Sequence, residues 1–151
     1  MKNTNHKTVS MINRLIETCR DGENGYRAAA KGVQDFELKM LFQNYEQQRI
    51  QFGSELQAEV LALGGDPQND GSLSGKVHRG WMSLKSAMTG SDEDAIIAQC
   101  EQGEDAAVRS YKEALQSDLP ASARMVAERQ FTQIQQAHDT IRALEKTGMR
   151  N

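Results

Sequence analysis

The chain has 151 residues, a net charge of −3 and a pI of about 5.6. Its mean hydropathy is −0.67, and no stretch approaches the roughly 20 apolar residues that a membrane-spanning helix needs. No basic arm or stripe is present that would suit a phosphate backbone. We therefore expect one domain over residues 1–151, with no membrane association and no nucleic-acid partner.

Four long segments combine helix-forming residues with apolar residues at helical spacing, so each is predicted to be a helix. Residues 1–7 are predicted to be frayed. Thr8 or Ser10 is expected to cap the first helix, and Ser91 with Asp94 is expected to form a capping box for the third. In chain order, the predicted helices cover about residues 8–35, 37–63, 91–116 and 120–146.

Residues 64–91 form the longest connection in the chain. The connection opens with Gly64 and Gly65, which are predicted to stop the second helix, and it contains a shorter amphipathic segment at about residues 76–88. Trp81 lies in that segment and is expected to anchor it. Two hairpins with short turns, joined by a long crossover that carries a short helix, predict an all-α, ferritin-like four-helix bundle.

An internal repeat supports this interpretation. The motif C-x-x-G-E begins at Cys19 and returns at Cys100, 81 positions later, and several apolar positions pair at the same offset. The repeat places Glu23 and Glu104 among apolar residues in equivalent helices. A repeated helical hairpin with an inward carboxylate is the plan of the ferritin-like carboxylate bundles.

Each predicted long helix has one ionisable residue within its apolar stripe. Burying an unpaired charge is costly, so such residues must pair with one another, bind a metal or meet water. Our leading hypothesis is a buried Glu–Arg–Glu network without any cofactor, in which a guanidinium supplies the positive charge of a metal. The four residues of this core polar network are Glu23, Arg49, Glu104 and His138.

The alternative is a site for iron or manganese with weak oxidase activity. Ferritin-like di-iron centres take a Glu from two helices and a Glu-x-x-His pair from each of the other two. Neither pair is complete here, because Arg49 replaces one histidine and Gln135 replaces the carboxylate before His138. A reduced site would use Glu23, Glu104 and His138, together with Glu55 or Glu17.

The remaining candidates are weaker. Cys19 and Cys100 lie on apolar stripes, which favours inert, buried free thiols in a reducing cytoplasm; redox activity is the alternative. Tyr26 and Tyr111 are expected in the core. His78, close to the anchor tryptophan, is expected to be structural.

Four blocks of sequence are distinctive: LIETCRDGE from Leu15, LGGDP from Leu63, HRGWxxLK from His78 and CExGED from Cys100. Over about residues 8–144 the chain resembles a bacterial ferritin-like four-helix-bundle family of unknown function. The resemblance implies the four-helix fold, a bacterial cytoplasmic source and relatives among stress-associated ferritin-like proteins. It supplies no substrate, because the family has no assigned activity. It also implies Arg and Glu at the positions of Arg49 and Glu55, and no Glu-x-x-His pairs.

The leading functional hypothesis is therefore a non-enzymatic, stress-associated, cytoplasmic bundle protein that forms homo-oligomers. The metal-binding protein is its rival. A third hypothesis is a scaffold that pairs through an exposed helix face, to which Met11, Met82 or Met125 would contribute.

Overall fold

The computed structural model describes residues 2–67, residue 81 and residues 92–146, with side chains described from residue 5 to residue 145. These residues contain four α-helices and no strand, as predicted for an all-α chain. The predicted short helix at 76–88, apart from Trp81, lies outside the described residues. The helices are α1 (Lys2–Gly32), α2 (Phe36–Ala62), α3 (Glu93–Leu115) and α4 (Ala121–Lys146).

The start of α1 differs from the prediction. The helix begins at Lys2, so the cap predicted at Thr8 or Ser10 is wrong. No glycine or proline interrupts residues 2–7, so no residue type there stops the helix. A Cβ added at Gly65 would lie 2.7 Å from the Val9 side chain, so α1 runs close to the backbone that follows α2.

Aspartates cap two of the helices. The carboxylate of Asp35 accepts hydrogen bonds from the amides two and three residues further on, at the start of α2. Asp92 does the same for α3, so the prediction of a cap at Ser91 is wrong. Glu93 also accepts hydrogen bonds of 2.9 Å from the amides of Gln34 and Asp35. The turn between α1 and α2 is thereby tied to the start of α3.

The end of α2 is as predicted. Gly64 has a φ of 79°, in the left-handed region that glycine adopts readily. The amide of Gly65 donates a hydrogen bond of 2.9 Å to the carbonyl of Val60, which satisfies one of the last carbonyls of the helix.

The helices pack side by side, with α1 against α2 and α3, and α4 against α2 and α3. Short connections make α1–α2 and α3–α4 antiparallel pairs. Across the α1–α3 and α2–α4 interfaces, contacts that move forward along one helix move backward along the other, so these pairs are antiparallel too. Helices α2 and α3 therefore run in the same direction. Those contacts join Cys19 to Tyr111 and Tyr26 to Glu104 between α1 and α3, and Phe52 to Gln130 and Glu59 to Ser122 between α2 and α4.

Apolar side chains form two buried clusters, one toward each end of the helices. One cluster contains Phe52 and Tyr111, and the other contains Tyr26 and Trp81. Along α2, Arg49 lies between Phe42 of one cluster and Phe52 of the other. Glu104 lies on α3 close to the boundary between Ala106 and Ala107, which belong to different clusters, and both charged side chains are fully buried. A polar layer therefore separates the two halves of the core.

Trp81 packs between α1 and α3, as expected of an anchor. Its side chain is buried, and its ring lies 5.1 Å from the ring of Tyr26, in an edge-to-face arrangement. A Cβ added at Gly25 or at Gly103 would overlap the indole. The two glycines, one on each helix, thus leave the space that the indole occupies.

The variant Gly103→Ala tests this packing of Trp81. The added methyl group would displace the indole, and we expect the free energy of unfolding to fall by about 1–3 kcal/mol. Gly53→Ala is the matched control, because its Cβ would lie 3.9 Å from that of Cys19, an ordinary contact. The control should gain up to about 1 kcal/mol from helix propensity. Urea unfolding followed by circular dichroism measures both; equal midpoints for Gly103→Ala and the wild type would contradict the packing.

Candidate functional site

The polar layer contains one fully buried ion pair. Nη2 of Arg49 donates a hydrogen bond of 2.6 Å to Oε2 of Glu104, and the two side chains are 1% and 0% exposed. The hydroxyl of Tyr26 donates a short hydrogen bond to the same oxygen. The guanidinium carbon lies 5.4 Å from the centre of the Tyr26 ring, within range of a cation–π interaction. One carboxylate and one aromatic ring therefore compensate the buried cation.

The protonation states follow from these contacts. Burial by itself would lower the pKa of Arg49, but the charge of Glu104 raises it above its ordinary value. Burial raises the pKa of Tyr26 well above its ordinary value, and the charge of Glu104 raises it further. Arg49 is therefore charged, and Tyr26 is a neutral hydrogen-bond donor, at any physiological pH.

The glycines of the two C-x-x-G-E motifs allow close approach at this layer. A Cβ at Gly22 would lie 3.0 Å from Nη1 of Arg49 and 3.2 Å from its Cγ. At the equivalent position in α3, Gly103 faces the Trp81 ring instead. The repeated glycine accommodates a large side chain in each half, a cation in one and an indole in the other.

Glu23 is not part of the buried pair. Its side chain is 26% exposed and forms a 2.7 Å ion pair with Arg27, one helical turn further along α1. Arg27 also binds Glu46 on α2, at 2.8 Å. The predicted Glu23–Arg49–Glu104 network is thus reduced to Arg49 and Glu104, because Arg27 offers Glu23 a partner nearer to solvent.

His138 also has partners away from the buried pair. Its Nε2 lies 2.7 Å from Oδ1 of Asp105, and its Nδ1 lies 3.2 Å from Oδ1 of Asp139. Burial opposes protonation of His138, but the two carboxylates outweigh it and raise its pKa. His138 therefore belongs to an outer polar group on α3 and α4.

The residues of the predicted reduced metal site do not converge. Glu23 binds Arg27, and Glu55 binds Arg129 and Gln130, at 2.9 and 2.8 Å. Oε1 of Glu104 has no hydrogen-bond partner among the described residues, but a metal cation there would stand beside the Arg49 guanidinium. The interior residues thus do not fit an iron or manganese centre.

Sequence reasoning missed Gln130, which is fully buried on α4. Its amide nitrogen donates to the carbonyl of Phe52 and to Glu55, and its carbonyl oxygen accepts from the hydroxyl of Tyr111. Gln130 follows Arg49 by the 81-residue offset of the repeat. Extending the repeat to polar positions would have found it.

Both cysteines are buried free thiols. Burial raises the pKa of Cys19 to about 11, although the hydrogen bond with Tyr111 lowers it. Burial and the charge of Glu104 raise the pKa of Cys100 well above its ordinary value. Neither thiol has the exposure or the ionisation of a reactive cysteine.

These observations describe an all-α protein whose four helices enclose an arginine–glutamate pair. The chain belongs to the family described as "Domain of unknown function (DUF2383)", which matches residues 7–117. The match includes both C-x-x-G-E motifs, Arg49 and Glu104, whereas α4 follows it. A comparison with curated proteins finds no match. No helix in the described part of the chain is both long and apolar enough to cross a membrane.

Thiol labelling tests the buried state of the cysteines. At pH 7 we expect a disulfide reagent to leave the native Cys100→Ser variant, which retains Cys19, essentially unmodified. The raised pKa alone slows the reaction of Cys19 about 100-fold, since each pKa unit removes about nine-tenths of the thiolate. The same variant in urea is the control and should react at once. Rapid modification of the native variant would contradict the geometry.

Proposed function

We propose that this protein is a ferritin-like four-helix bundle in which the Arg49–Glu104 ion pair stands in place of a di-metal centre. The observation that carries the proposal is the guanidinium of Arg49, hydrogen-bonded to the fully buried carboxylate of Glu104 between the two core clusters. The helix directions support it. Antiparallel neighbours with α2 and α3 running the same way require a long crossover, as in ferritin-like bundles.

The proposed role is structural and non-enzymatic. The buried groups with perturbed acid–base properties include Arg49, Tyr26, Tyr111 and the two thiols, and all five are at least 99% buried. These groups therefore offer almost no surface that a substrate could reach. A fixed guanidinium also supplies a charge that no redox step or ligand exchange alters. The interior of this bundle therefore serves stability.

The proposed setting is the bacterial cytoplasm, with a stress-associated role and self-association. The resemblance of the four sequence blocks supports the setting, and two buried free thiols are typical of a reducing compartment. Light scattering across a range of protein concentrations measures self-association directly. We expect a mass above that of one chain, and a monomer mass at high concentration would remove this part of the proposal.

The variant Arg49→Met tests the central pair. Removal of the guanidinium leaves the buried carboxyl group of Glu104 without its cationic partner, which costs about 3–5 kcal/mol. For a domain of this size we expect the melting temperature to fall by roughly 6–20 °C. Thermal unfolding by circular dichroism measures the change. An Arg49→Met variant that melts at the wild-type temperature would contradict the buried ion pair.

The double variant Arg49→Met/Glu104→Leu separates loss of the pair from loss of packing. Because both charges are gone, we expect it to unfold at a higher temperature than Arg49→Met alone. If the loss of stability in the double variant instead equals the sum of the losses in Arg49→Met and Glu104→Leu, the two residues act independently.

Iron loading tests the absence of an interior metal site. After anaerobic incubation with Fe(II) and desalting, Glu104→Gln and Glu23→Gln should retain as much iron as the wild type. Elemental analysis gives the metal content. Loss of bound iron in Glu104→Gln, with the helical content preserved, would overturn the proposal in favour of the metal-binding alternative.

A further inference from the structure

We propose that the outer face of α3 and α4 carries a site for a divalent transition-metal ion, with Glu101, Asp105 and His138 as its ligands. One possible ligand atom from each of the three residues lies within 4.8 Å of those of the other two. Glu101 and Asp105 are one helical turn apart on α3, and His138 faces them from α4. Two carboxylates and one imidazole from two helices thus meet on one face.

The spacing of the ligand atoms suits a metal. Zinc binds imidazole nitrogen and carboxylate oxygen at about 2.0–2.2 Å, which puts neighbouring ligand atoms roughly 3 Å apart. Nε2 of His138 and Oδ1 of Asp105 are already 2.7 Å apart. A metal ion bound by both atoms would take the place of this hydrogen bond. A carboxylate oxygen of Glu101 completes the group, and this side chain also lies 3.8 Å from Nε of Arg142.

The second ring nitrogen of His138 also has a carboxylate partner. Its Nδ1 lies 3.2 Å from Oδ1 of Asp139, while its Nε2 faces Asp105. Histidines that bind metals usually donate their other ring N–H to a carboxylate or carbonyl, which fixes the tautomer and strengthens the ligand. Asp139 occupies that supporting position here.

The mixture of ligand types narrows the ion to one class. Imidazole with carboxylates suits zinc, manganese or ferrous iron, whereas magnesium and calcium prefer oxygen alone. The Asp105 side chain is 46% exposed and that of His138 is 14% exposed, so an ion can enter from solvent. Glu104 lies between Glu101 and Asp105 in sequence, but it points into the core. This site is therefore separate from the Arg49–Glu104 pair and does not depend on the proposed function.

Titration calorimetry with Zn²⁺ on the purified full chain tests the site. We expect one ion per chain, with the affinity lowered at least about tenfold in Asp105→Asn and in His138→Gln, and lowered also in Asp139→Asn. His6→Gln and Glu113→Gln are matched controls, a histidine and a carboxylate elsewhere on α1 and α3, and they should bind like the wild type. Glu104→Gln should also leave the Zn²⁺ affinity unchanged.

A paramagnetic probe provides the second readout. Substoichiometric Mn²⁺ should broaden the ring proton signals of His138 in an NMR spectrum and leave those of His6 sharp. Three results would overturn the proposal: no Zn²⁺ binding by the wild type, an affinity unaffected by Asp105→Asn, or a loss of binding confined to His6→Gln or His78→Gln. Circular dichroism of each variant confirms that the helices are intact.

Discussion

The Arg49–Glu104 ion pair is the constraint around which the interior is arranged. A guanidinium and a carboxylate without access to water lose several kcal/mol of hydration each, so their positions are narrowly determined. Gly22 leaves room for the arginine, and Tyr26 contributes both its ring face and its hydroxyl. Arg49 is on α2 and Glu104 is on α3, in different hairpins. A slip of one hairpin past the other would separate the charges, and the pair therefore specifies the register of the two halves.

The two halves of the repeat share their helical arrangement but differ in their buried polar residues. Where α2 carries Arg49, the equivalent position of α4 carries Gln130, and both side chains are fully buried. The arginine needs a buried anion, which Glu104 supplies from the opposite hairpin. The glutamine is itself uncharged, and it bonds to the Tyr111 hydroxyl, the backbone of Phe52 and the carboxylate of Glu55. The same position of the repeat thus carries a cation in one hairpin and a neutral amide in the other.

Much of this arrangement could be predicted from periodicity and turn residues. The predictions that failed did so for local reasons. The bounds of α2 and α4 follow from glycine, proline and apolar spacing. The cost of burying charge predicted that Arg49 would pair with another charge, bind a metal or meet water, and in the structure it pairs with Glu104. Helical spacing does not show whether a glutamate at the edge of an apolar stripe, such as Glu23, faces the core or the solvent. That choice depends on Arg27, and the side chain of His138 is likewise oriented by Asp105 and Asp139. These are pairings between side chains, which sequence spacing does not encode.

The position of Trp81 has a consequence for how the chain assembles. The tryptophan belongs to neither hairpin, yet its ring is enclosed by a glycine from each, Gly25 on α1 and Gly103 on α3. Either hairpin alone offers only half of that enclosure. The indole can leave water only when the two hairpins meet. Because the sequence contains a single tryptophan, the intrinsic fluorescence of the protein reports the docking of one half on the other, separately from the formation of the helices.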